Sequence, residues 1–187
     1  MRTATKMTKR IEKEIEIPEN ADIKVNGLTI TVKGPKGEVK RLFDRRDIKF
    51  ESDGKSIIIK AEKNTKREKK VVGSINAHIK NMIKGALEGY TYHLKVCSGH
   101  FPVTVTVKGD ELIIKNFLGE KVPRVVKIKK GAEVKVDGMM LTVKSPDKEL
   151  AGQVSADIEA ITRRTGFDTR IFQDGIYIIN KSGKDIK

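Results

Sequence analysis

The segment KVNGLTITVKGPKGEV, from Lys24 to Val39, occurs again in altered form as KVDGMMLTVKSPDKEL, from Lys135 to Leu150. The two segments align without a gap, 111 positions apart, and eight of their sixteen residue pairs are identical. Each contains alternating apolar and polar residues around an Asn-Gly or Asp-Gly pair, which is the pattern of a tight β-hairpin. One hairpin used twice in a chain of 187 residues predicts two small domains that arose by duplication.

Further strand and turn signals surround the first hairpin. Asn26-Gly27 is predicted to be a type I′ turn, which needs residues that tolerate positive φ at both central positions. Gly34-Pro35-Lys36-Gly37 is a second turn signal, and Asp53-Gly54 separates the alternating segments DIKFES and SIIIKAE. Residues 12–62 are therefore expected to form short strands separated by tight turns.

Residues 65–88 carry the pattern of an amphipathic helix. Apolar side chains recur there at spacings of three and four, so they fall on one helix face. The face expected to be buried consists of Val72, Ile75, Ile79, Met82, Ile83 and Ala86. Thr65 is the expected N-cap, and Gly85 and Gly89 are expected to mark the helix end.

Strand signals resume at Tyr90, and a second helix follows the second hairpin directly. Ser145 is the expected N-cap of that helix, with Pro146 at its first helical position. The helix is expected to end before Gly166. Its expected buried face consists of Leu150, Val154, Ile158 and Ile161. Asp174-Gly175, between the segments RIFQ and IYIIN, predicts a final hairpin.

These patterns predict an α+β fold made of two tandem, duplicated small domains, each a mostly antiparallel sheet packed by one helix. The boundary is expected near Gly89, which gives a first domain of residues 1–88 and a second of residues 89–187. The copies differ in one respect. A second hairpin, at about residues 47–61, separates the repeated hairpin from its helix in the first copy only.

The charge of the chain favours a polyanionic partner. Lys and Arg number 39 against 25 Asp and Glu, a net charge of +14, which points first to nucleic acid. The alternative is an evenly charged surface of the kind found in thermophile proteins. The first copy is the more basic, at +9 against +5. Aromatic residues make up only 5%, so recognition of folded shape and phosphate is expected rather than of splayed bases.

The sequence is typical of a cytosolic protein. Cys97 is the only cysteine, so no disulfide can form within the chain, as is usual in the cytosol. No apolar run has the roughly 20 residues of a membrane helix, and the basic N-terminal segment lacks the apolar core of a signal peptide.

The sequence also argues against an enzyme. Cys97 and His100 cannot fill a four-ligand metal site. No cofactor is expected. Two other classes remain open: a small enzyme using Cys97 and His100, and a free-standing module that binds RNA or DNA.

Several basic segments are candidates for phosphate contact. Arg163 and Arg164 are expected to close the second helix, where they would either cap it or contact phosphate. The segment 144–148 offers free backbone N–H groups beside two lysines, although an ordinary N-cap would have the same sequence. The run 63–70 is interpreted first as a solvated helix face. Near the C-terminus, phosphate contact competes with a plain solvated tail for Arg170, Lys181, Lys184 and Lys187.

Long phrases in both copies resemble one known family. In the second copy these are SGHFPVTVTVKGDELIIKNFLGEKVPR, DKELAGQVSADIEAIT and FQDGIYI, and in the first copy EIEIPENADIKVNGLTITVKGPKGEVKR. They resemble the "L six" family of large-subunit ribosomal proteins in its archaeal-type form. The resemblance implies two similar α+β domains and a cytoplasmic, non-catalytic protein. It also implies binding to large-subunit rRNA, mainly through the second domain, near the sarcin–ricin loop where translation factors dock and beside other large-subunit proteins.

The resemblance also implies a set of rRNA-binding residues. They are Lys144, Ser145, Lys148, Gln153, Arg163, Arg164, Arg170, Gln173, Asp174 and Gly175, with Gly119 and Lys121 of the loop 118–121 as weaker candidates. One departure affects this set. Bacterial-type members carry a strip rich in glycine and lysine where this chain has Phe172-Gln173-Asp174-Gly175.

Overall fold

The computed structural model describes residues 11–45, 47–54, 56–168 and 170–186. The N-terminal basic segment 1–10 and Lys187 lie outside these ranges. The chain divides into two compact units, Met1–Glu88 and Gly89–Lys187. No helix in the described ranges is long and apolar enough to cross a membrane.

Unit 1 is built from two antiparallel sheets and one helix. Its elements are β1 (Ile11–Glu16), β2 (Asp22–Asn26), β3 (Thr29–Gly34), β4 (Gly37–Leu42), β5 (Ile48–Ser52), β6 (Ser56–Ala61) and α1 (Lys66–Leu87). One sheet has the strand order β1-β6-β5 and the other β2-β3-β4. The helix packs against β1, β3, β4 and β6, so it covers both sheets.

The predicted apolar face of α1 is confirmed. All six of its residues are buried, and they join the inward-facing side chains of the strands in one hydrophobic core. Gly89 directly follows the helix C-cap, Glu88, as predicted. Gly85 lies buried inside the helix instead of marking its end. Thr65 is the N-cap residue, but its side chain makes no capping hydrogen bond.

The first hairpin turns one residue later than predicted. Asn26 pairs with Thr29, so the two-residue loop is Gly27-Leu28. Gly27 has a φ of +62°, whereas Leu28 has no positive φ, which is the arrangement of a type II′ turn with glycine at its first position. Leucine at the second position disfavours the type I′ turn expected from Asn26-Gly27, because that turn needs positive φ there too.

Unit 2 contains eight strands and one α-helix within the described ranges. Its elements are β7 (Tyr90–Cys97), β8 (Thr104–Lys108), β9 (Glu111–Lys115), a 3-10 turn (Phe117–Gly119), β10 (Arg124–Lys127), β11 (Glu133–Asp137), β12 (Met140–Ser145), α2 (Lys148–Ile161), β13 (Gly175–Lys181) and β14 (Lys184–Asp185). The strand orders are β11-β12-β7-β13-β14 and β10-β9-β8. The helix packs against β7, β10, β12 and β13.

The α+β class with mostly antiparallel pairing is therefore confirmed, with two sheets in each unit instead of one. The repeated hairpin has the same strand lengths in both units. Adding 111 to the bounds of β2 and β3 gives the bounds of β11 and β12. The segment after the hairpin diverges as expected, because it forms strand β4 in unit 1 and the start of α2 in unit 2.

Three predictions about unit 2 are wrong, one of them the placing of Pro146 at the first helical position, because the helix begins at Lys148. The N-cap of α2 is Asp147, whose carboxylate accepts a hydrogen bond from Glu149 N at 2.9 Å, and not Ser145. Ser145 ends β12 with its side chain buried, which leaves Asp147 as the next side-chain acceptor along the chain. Residues 171–174 form no strand, so Asp174-Gly175 is not a hairpin turn. The final hairpin joins β13 to β14 instead.

Candidate nucleic-acid interface

Helix α2 separates the predicted rRNA-binding residues into two groups. The helix has 14 residues, which at 1.5 Å per residue makes it about 21 Å long. Lys144, Ser145 and Lys148 lie at its N-terminal end. The remaining residues, apart from Gln153 in its middle, belong to segments beyond its C-terminal end or to the loop after β9. The predicted set therefore does not form one continuous site around a single helix end.

At the N-terminal end, the two lysines are exposed and the serine is not. Ser145 is 5% exposed, and its hydroxyl donates to Gly131 O at 2.9 Å and accepts from Asp147 N at 3.2 Å. Its side chain therefore connects β12 to the preceding loop. Lys148 Nζ lies 5.8 Å from the centre of the Tyr90 ring, so its cation is held close to the start of the helix. The lysines can contact an anion, and Ser145 supports the segment between them.

Gln153 lies on the exposed face of α2. Its amide nitrogen donates to Asp157 Oδ1 at 2.7 Å, and Lys129 Nζ lies 2.9 Å from Asp157 Oδ2. The hydrogen bond from Lys129 is the largest cause that lowers the pKa of Asp157, with a smaller contribution from Gln153. Gln153 follows Lys148 by five residues, so it lies about 7.5 Å further along the helix axis, within the N-terminal half of α2.

The C-terminal end of α2 is capped by Arg124, a residue that the sequence did not single out. One Arg124 nitrogen, Nη1, donates to the backbone oxygen of Ile161, the last helical residue. The other two donate to the Glu120 carboxylate at 2.6 and 2.8 Å, and the guanidinium lies 4.4 Å from the centre of the Phe117 ring. The hydrogen bond from Arg124 is the main cause that lowers the pKa of Glu120. A cation at this position offsets the partial negative charge of the helix terminus.

Arg163 and Arg164 therefore follow the helix instead of closing it. The helix ends at Ile161, and both arginines are exposed beyond the C-cap. Within the described ranges, the Arg163 guanidinium has no hydrogen-bond or ion-pair partner. Arg164 lies over the Phe167 ring at 4.1 Å, and its Nη1 is 3.8 Å from Glu120 Oε1, a long contact. Since Arg124 already caps the helix, the capping alternative leaves these two guanidinium groups unexplained.

Asp174 is an internal acceptor. The residue is 8% exposed, and Oδ1 accepts from Gly99 N at 2.5 Å and His100 N at 3.2 Å. His100 Nδ1 hydrogen-bonds the other carboxylate oxygen. Burial raises the pKa of Asp174, but the bonds from His100 and Gly99 outweigh burial, so the pKa lies below its ordinary value. The carboxylate therefore ties the segment before β13 to the loop after β7.

Replacing Asp174 by asparagine should lower the free energy of unfolding by about 2 kcal/mol at pH 7, because the buried N–H donors lose a charged acceptor. Because the folded-state pKa of Asp174 lies below its ordinary value of 3.8, the carboxylate stabilises the fold above that pH and stops doing so as the pH falls through its folded-state pKa. Urea unfolding between pH 3 and pH 7 should show wild type and D174N converging at the acid end. Asp168, an exposed acid in the same segment, provides the control D168N, which should unfold almost like wild type. A pH-independent difference for D174N would contradict this account.

The other predicted residues are exposed and bonded locally. Arg170 donates to Asp168 at 2.9 Å, and this bond lowers the pKa of Asp168. Gln173 Nε2 donates to Arg170 O at 3.3 Å. Lys121 is exposed in the loop after the 3-10 turn, next to Glu120. Their positions leave the Arg170 and Lys121 side chains on the solvent side of this end of unit 2.

The structure also brings together residues that the sequence did not propose as a site. A pocket of about 140 Å³ lies beyond the end of α2. It is lined by Leu118, Glu159, Thr162, Arg163, Arg164, Phe167, Phe172, Asp174 and Tyr177. Three predicted residues, Arg163, Arg164 and Asp174, are among them. The remaining lining residues come from three separated segments, and no spacing in the sequence connects those segments.

Gly175 belongs to the wall of this pocket through its neighbour Tyr177. A side chain at Gly175 would begin 3.1 Å from the Tyr177 ring, closer than an ordinary van der Waals contact. Tyr177 is 42% exposed, and burial is the main cause that raises the pKa of its hydroxyl. Glycine at position 175 therefore lets the Tyr177 ring lie against the backbone of β13.

Known proteins match the sequence of both units. The family model described as Ribosomal protein L6 matches residues 17–89 and 101–175. Three curated relatives carry the name "Large ribosomal subunit protein uL6". The relative from Haloarcula marismortui is 43% identical over 171 residues, which cover 91% of this chain and 96% of the relative. The relative from Methanococcus vannielii is 44% identical over 174 residues, 93% and 96% of the two chains.

The third relative, from Haloquadratum walsbyi, is 43% identical over 171 residues, 89% of this chain and 94% of its own length. All three alignments span both units, so the similarity does not rest on one domain. The identity lies far above the level at which only a fold is shared. The chain therefore belongs to the ribosomal protein L6 family, a family of structural and not enzymatic proteins, as the sequence predicted.

Proposed function

We propose that this chain is a structural component of the large ribosomal subunit that binds large-subunit rRNA, with unit 2 as its main contact surface. One observation carries the proposal: Arg163 and Arg164 are exposed beyond a helix terminus that Arg124 already caps. Guanidinium groups that the helix terminus does not use are suited to phosphate oxygens, which they can bind through two parallel hydrogen bonds. The names of the relatives support the ribosomal assignment.

The C-terminal contact surface would extend beyond the two arginines. Arg170 and Lys121 are exposed at the same end of unit 2 and would add phosphate contacts. Gln173, also exposed, would help to fix the register of the RNA. Asp174 would act indirectly, because its carboxylate oxygens accept hydrogen bonds from Gly99 and His100.

A second contact is proposed at the other end of α2. Lys144 and Lys148 are both exposed there and flank the first turn, whose backbone N–H groups carry partial positive charge. Ser145 would hold this segment in place, and Gln153 would extend it along the exposed helix face. The two ends, about 21 Å apart, would allow the unit to span separate segments of a folded RNA.

The position within the ribosome rests on the resemblance alone. By that resemblance the chain would lie near the sarcin–ricin loop and the region where translation factors dock, beside other large-subunit proteins in the cytoplasm. Bound there, it would hold rRNA segments in place and supply no chemistry. Residues 1–88 are more basic than residues 89–187, so a contribution of unit 1 to RNA affinity is compatible with the proposal.

Sedimentation separates this proposal from a non-ribosomal RNA-binding module. An affinity-tagged chain expressed in its native cells should migrate with large subunits in a sucrose gradient of the lysate. It should remain with them after ribosomes are dissociated at low magnesium. A chain found mainly at the top of the gradient, free of large subunits, would rule out the ribosomal proposal while leaving RNA binding open.

A further inference from the structure

Four flat groups beyond the end of α2 form a continuous row. The Arg164 guanidinium lies over the Phe167 ring at 4.1 Å. Phe167 meets Phe172 edge to face, with ring centres 4.9 Å apart at 90°, and Phe172 stacks on His100 at 4.9 Å and 28°. We call Arg164, Phe167, Phe172 and His100 the aromatic row. Phe167 is 38% exposed, so part of its ring is accessible to a ligand.

The aromatic row borders the pocket described above. Phe167 and Phe172 line the pocket, and the exposed ring of Tyr177 lines it as well. The volume of about 140 Å³ is below the 300 Å³ or more that is typical of sites for cofactors and drug-sized molecules. A single flat ring system suits such a space better than an extended small molecule does.

Charge distinguishes what enters the pocket from what lies at its rim. Glu159 and Asp174 are among the lining residues, and carboxylates inside a pocket disfavour a phosphate there. Glu159 can instead accept a hydrogen bond from the amino group of a nucleobase, whereas the Asp174 oxygens already accept from Gly99 and His100. Arg163 and Arg164 are exposed and line the same pocket, so a phosphate can be bound beside it.

The backbone at the pocket has an unusual conformation. Leu118 has a φ of +49°, in the left-handed region that a leucine rarely adopts. Its side chain lines the pocket. Such strained residues concentrate at ligand-binding positions, where the surrounding structure holds them in place.

From these observations we infer that the pocket binds one unpaired nucleobase of RNA, stacked on Phe167 or Tyr177, with its phosphate held by Arg163 and Arg164. This inference rests on the proposed function, and it names the chemical group that the C-terminal end of unit 2 selects. At this one pocket it replaces the expectation, drawn from the 5% aromatic content, that no splayed base is recognised. Base stacking on an aromatic ring tolerates any base, because every base has a flat face. It adds affinity without releasing counterions, so it does not contribute to the salt dependence of binding.

The test uses the full-length chain and protein-free large-subunit rRNA. The variants Phe167→Leu and Tyr177→Leu keep apolar volume and remove the aromatic face. Phe101→Leu is the matched control, because Phe101 is 47% exposed in the same unit and does not line the pocket. Each pocket variant should weaken binding by about five- to hundredfold with an unchanged slope of log K against log salt. The control should bind like wild type.

Chemical probing of the same complexes should show where the base lies. Hydroxyl-radical footprints should stay in place in all variants, whereas protection of at least one unpaired base should be lost in the pocket variants alone. Unchanged affinity and unchanged base protection would overturn the inference and leave the proposed function standing. The inference would also be overturned if the pocket variants bound RNA with full affinity but failed to migrate with large subunits in a sucrose gradient. That result would indicate that a protein side chain occupies the pocket. A wild-type chain that leaves no footprint would overturn the proposed function as well.

Discussion

The double variant R163A/R164A should bind large-subunit rRNA roughly ten- to hundredfold more weakly than wild type at 0.1 M salt. The slope of log K against log salt should become shallower by about 1 to 2. The variant makes fewer phosphate contacts, so its binding releases fewer counterions from the RNA. The effect should be large because neither guanidinium is used by the helix end, which Arg124 caps. A filter-binding series over several salt concentrations measures both quantities.

The control for this variant removes two positive charges elsewhere on unit 2. Lys108 is exposed beside a hairpin turn, and Lys135 is exposed on the edge strand β11 with Glu133 as its ion-pair partner at 3.0 Å. The variant K108A/K135A should lose affinity only through net charge, by a few-fold at most. Equal losses in the two double variants would mean that Arg163 and Arg164 form no specific contact. Unchanged affinity and slope in R163A/R164A would exclude this pair from the interface.

Replacing Gly34 by alanine should lower the free energy of unfolding of unit 1 by about 3 kcal/mol. A Cβ atom at Gly34 would lie 2.4 Å from the backbone oxygen of Ala86 and 2.7 Å from its carbonyl carbon. The same carbonyl accepts a hydrogen bond from Lys36 N at 3.0 Å, so the turn after β3 is bound directly to the last turns of α1. Because the obstacle is backbone, no side chain can move aside, and the turn and helix must separate.

Gly73 provides a control of opposite sign. It lies inside α1, and a side chain there would meet nothing within 4 Å. Gly73→Ala should therefore raise the free energy of unfolding by about 0.5 to 1 kcal/mol, since alanine is the better helix former. Urea unfolding of both variants, followed by circular dichroism, gives the comparison. A Gly34→Ala variant as stable as wild type would mean that the turn does not depend on its contact with Ala86.

The hairpin at Lys24–Val39 and its repeat at Lys135–Leu150 show what a sequence pattern determines. Alternation of apolar residues and the glycine at each turn set two hairpins with strands of equal length, as the structure has them. The apolar face of α1 could be predicted equally well from the sequence, because side chains three and four residues apart share a helix face. These features depend on neighbours within a few residues, and the sequence order contains that information.

Features that depend on partners distant in the chain could not be predicted from the sequence. The sequence placed the N-cap of α2 at Ser145, because nothing local shows that this hydroxyl is bonded to Gly131 O. The sequence also predicted a hairpin turn at Asp174-Gly175. That prediction was wrong because the N–H donors that bind the Asp174 carboxylate lie 74 and 75 residues away. A capping or turn signal is therefore outweighed wherever a buried group finds a better partner in another element.

The candidate interface divides along the same line. The sequence by itself determined the duplicated α+β fold, the family, and an excess of basic residues suited to rRNA, because periodicity, long phrases and composition are properties of the chain. Only the tertiary structure decided that Arg124 caps α2, which leaves Arg163 and Arg164 exposed, and that Phe167, Phe172 and His100 form one row. Those contacts join segments tens of residues apart. Their geometry arises when α2 and the strands bury a common core, a step that no local pattern encodes.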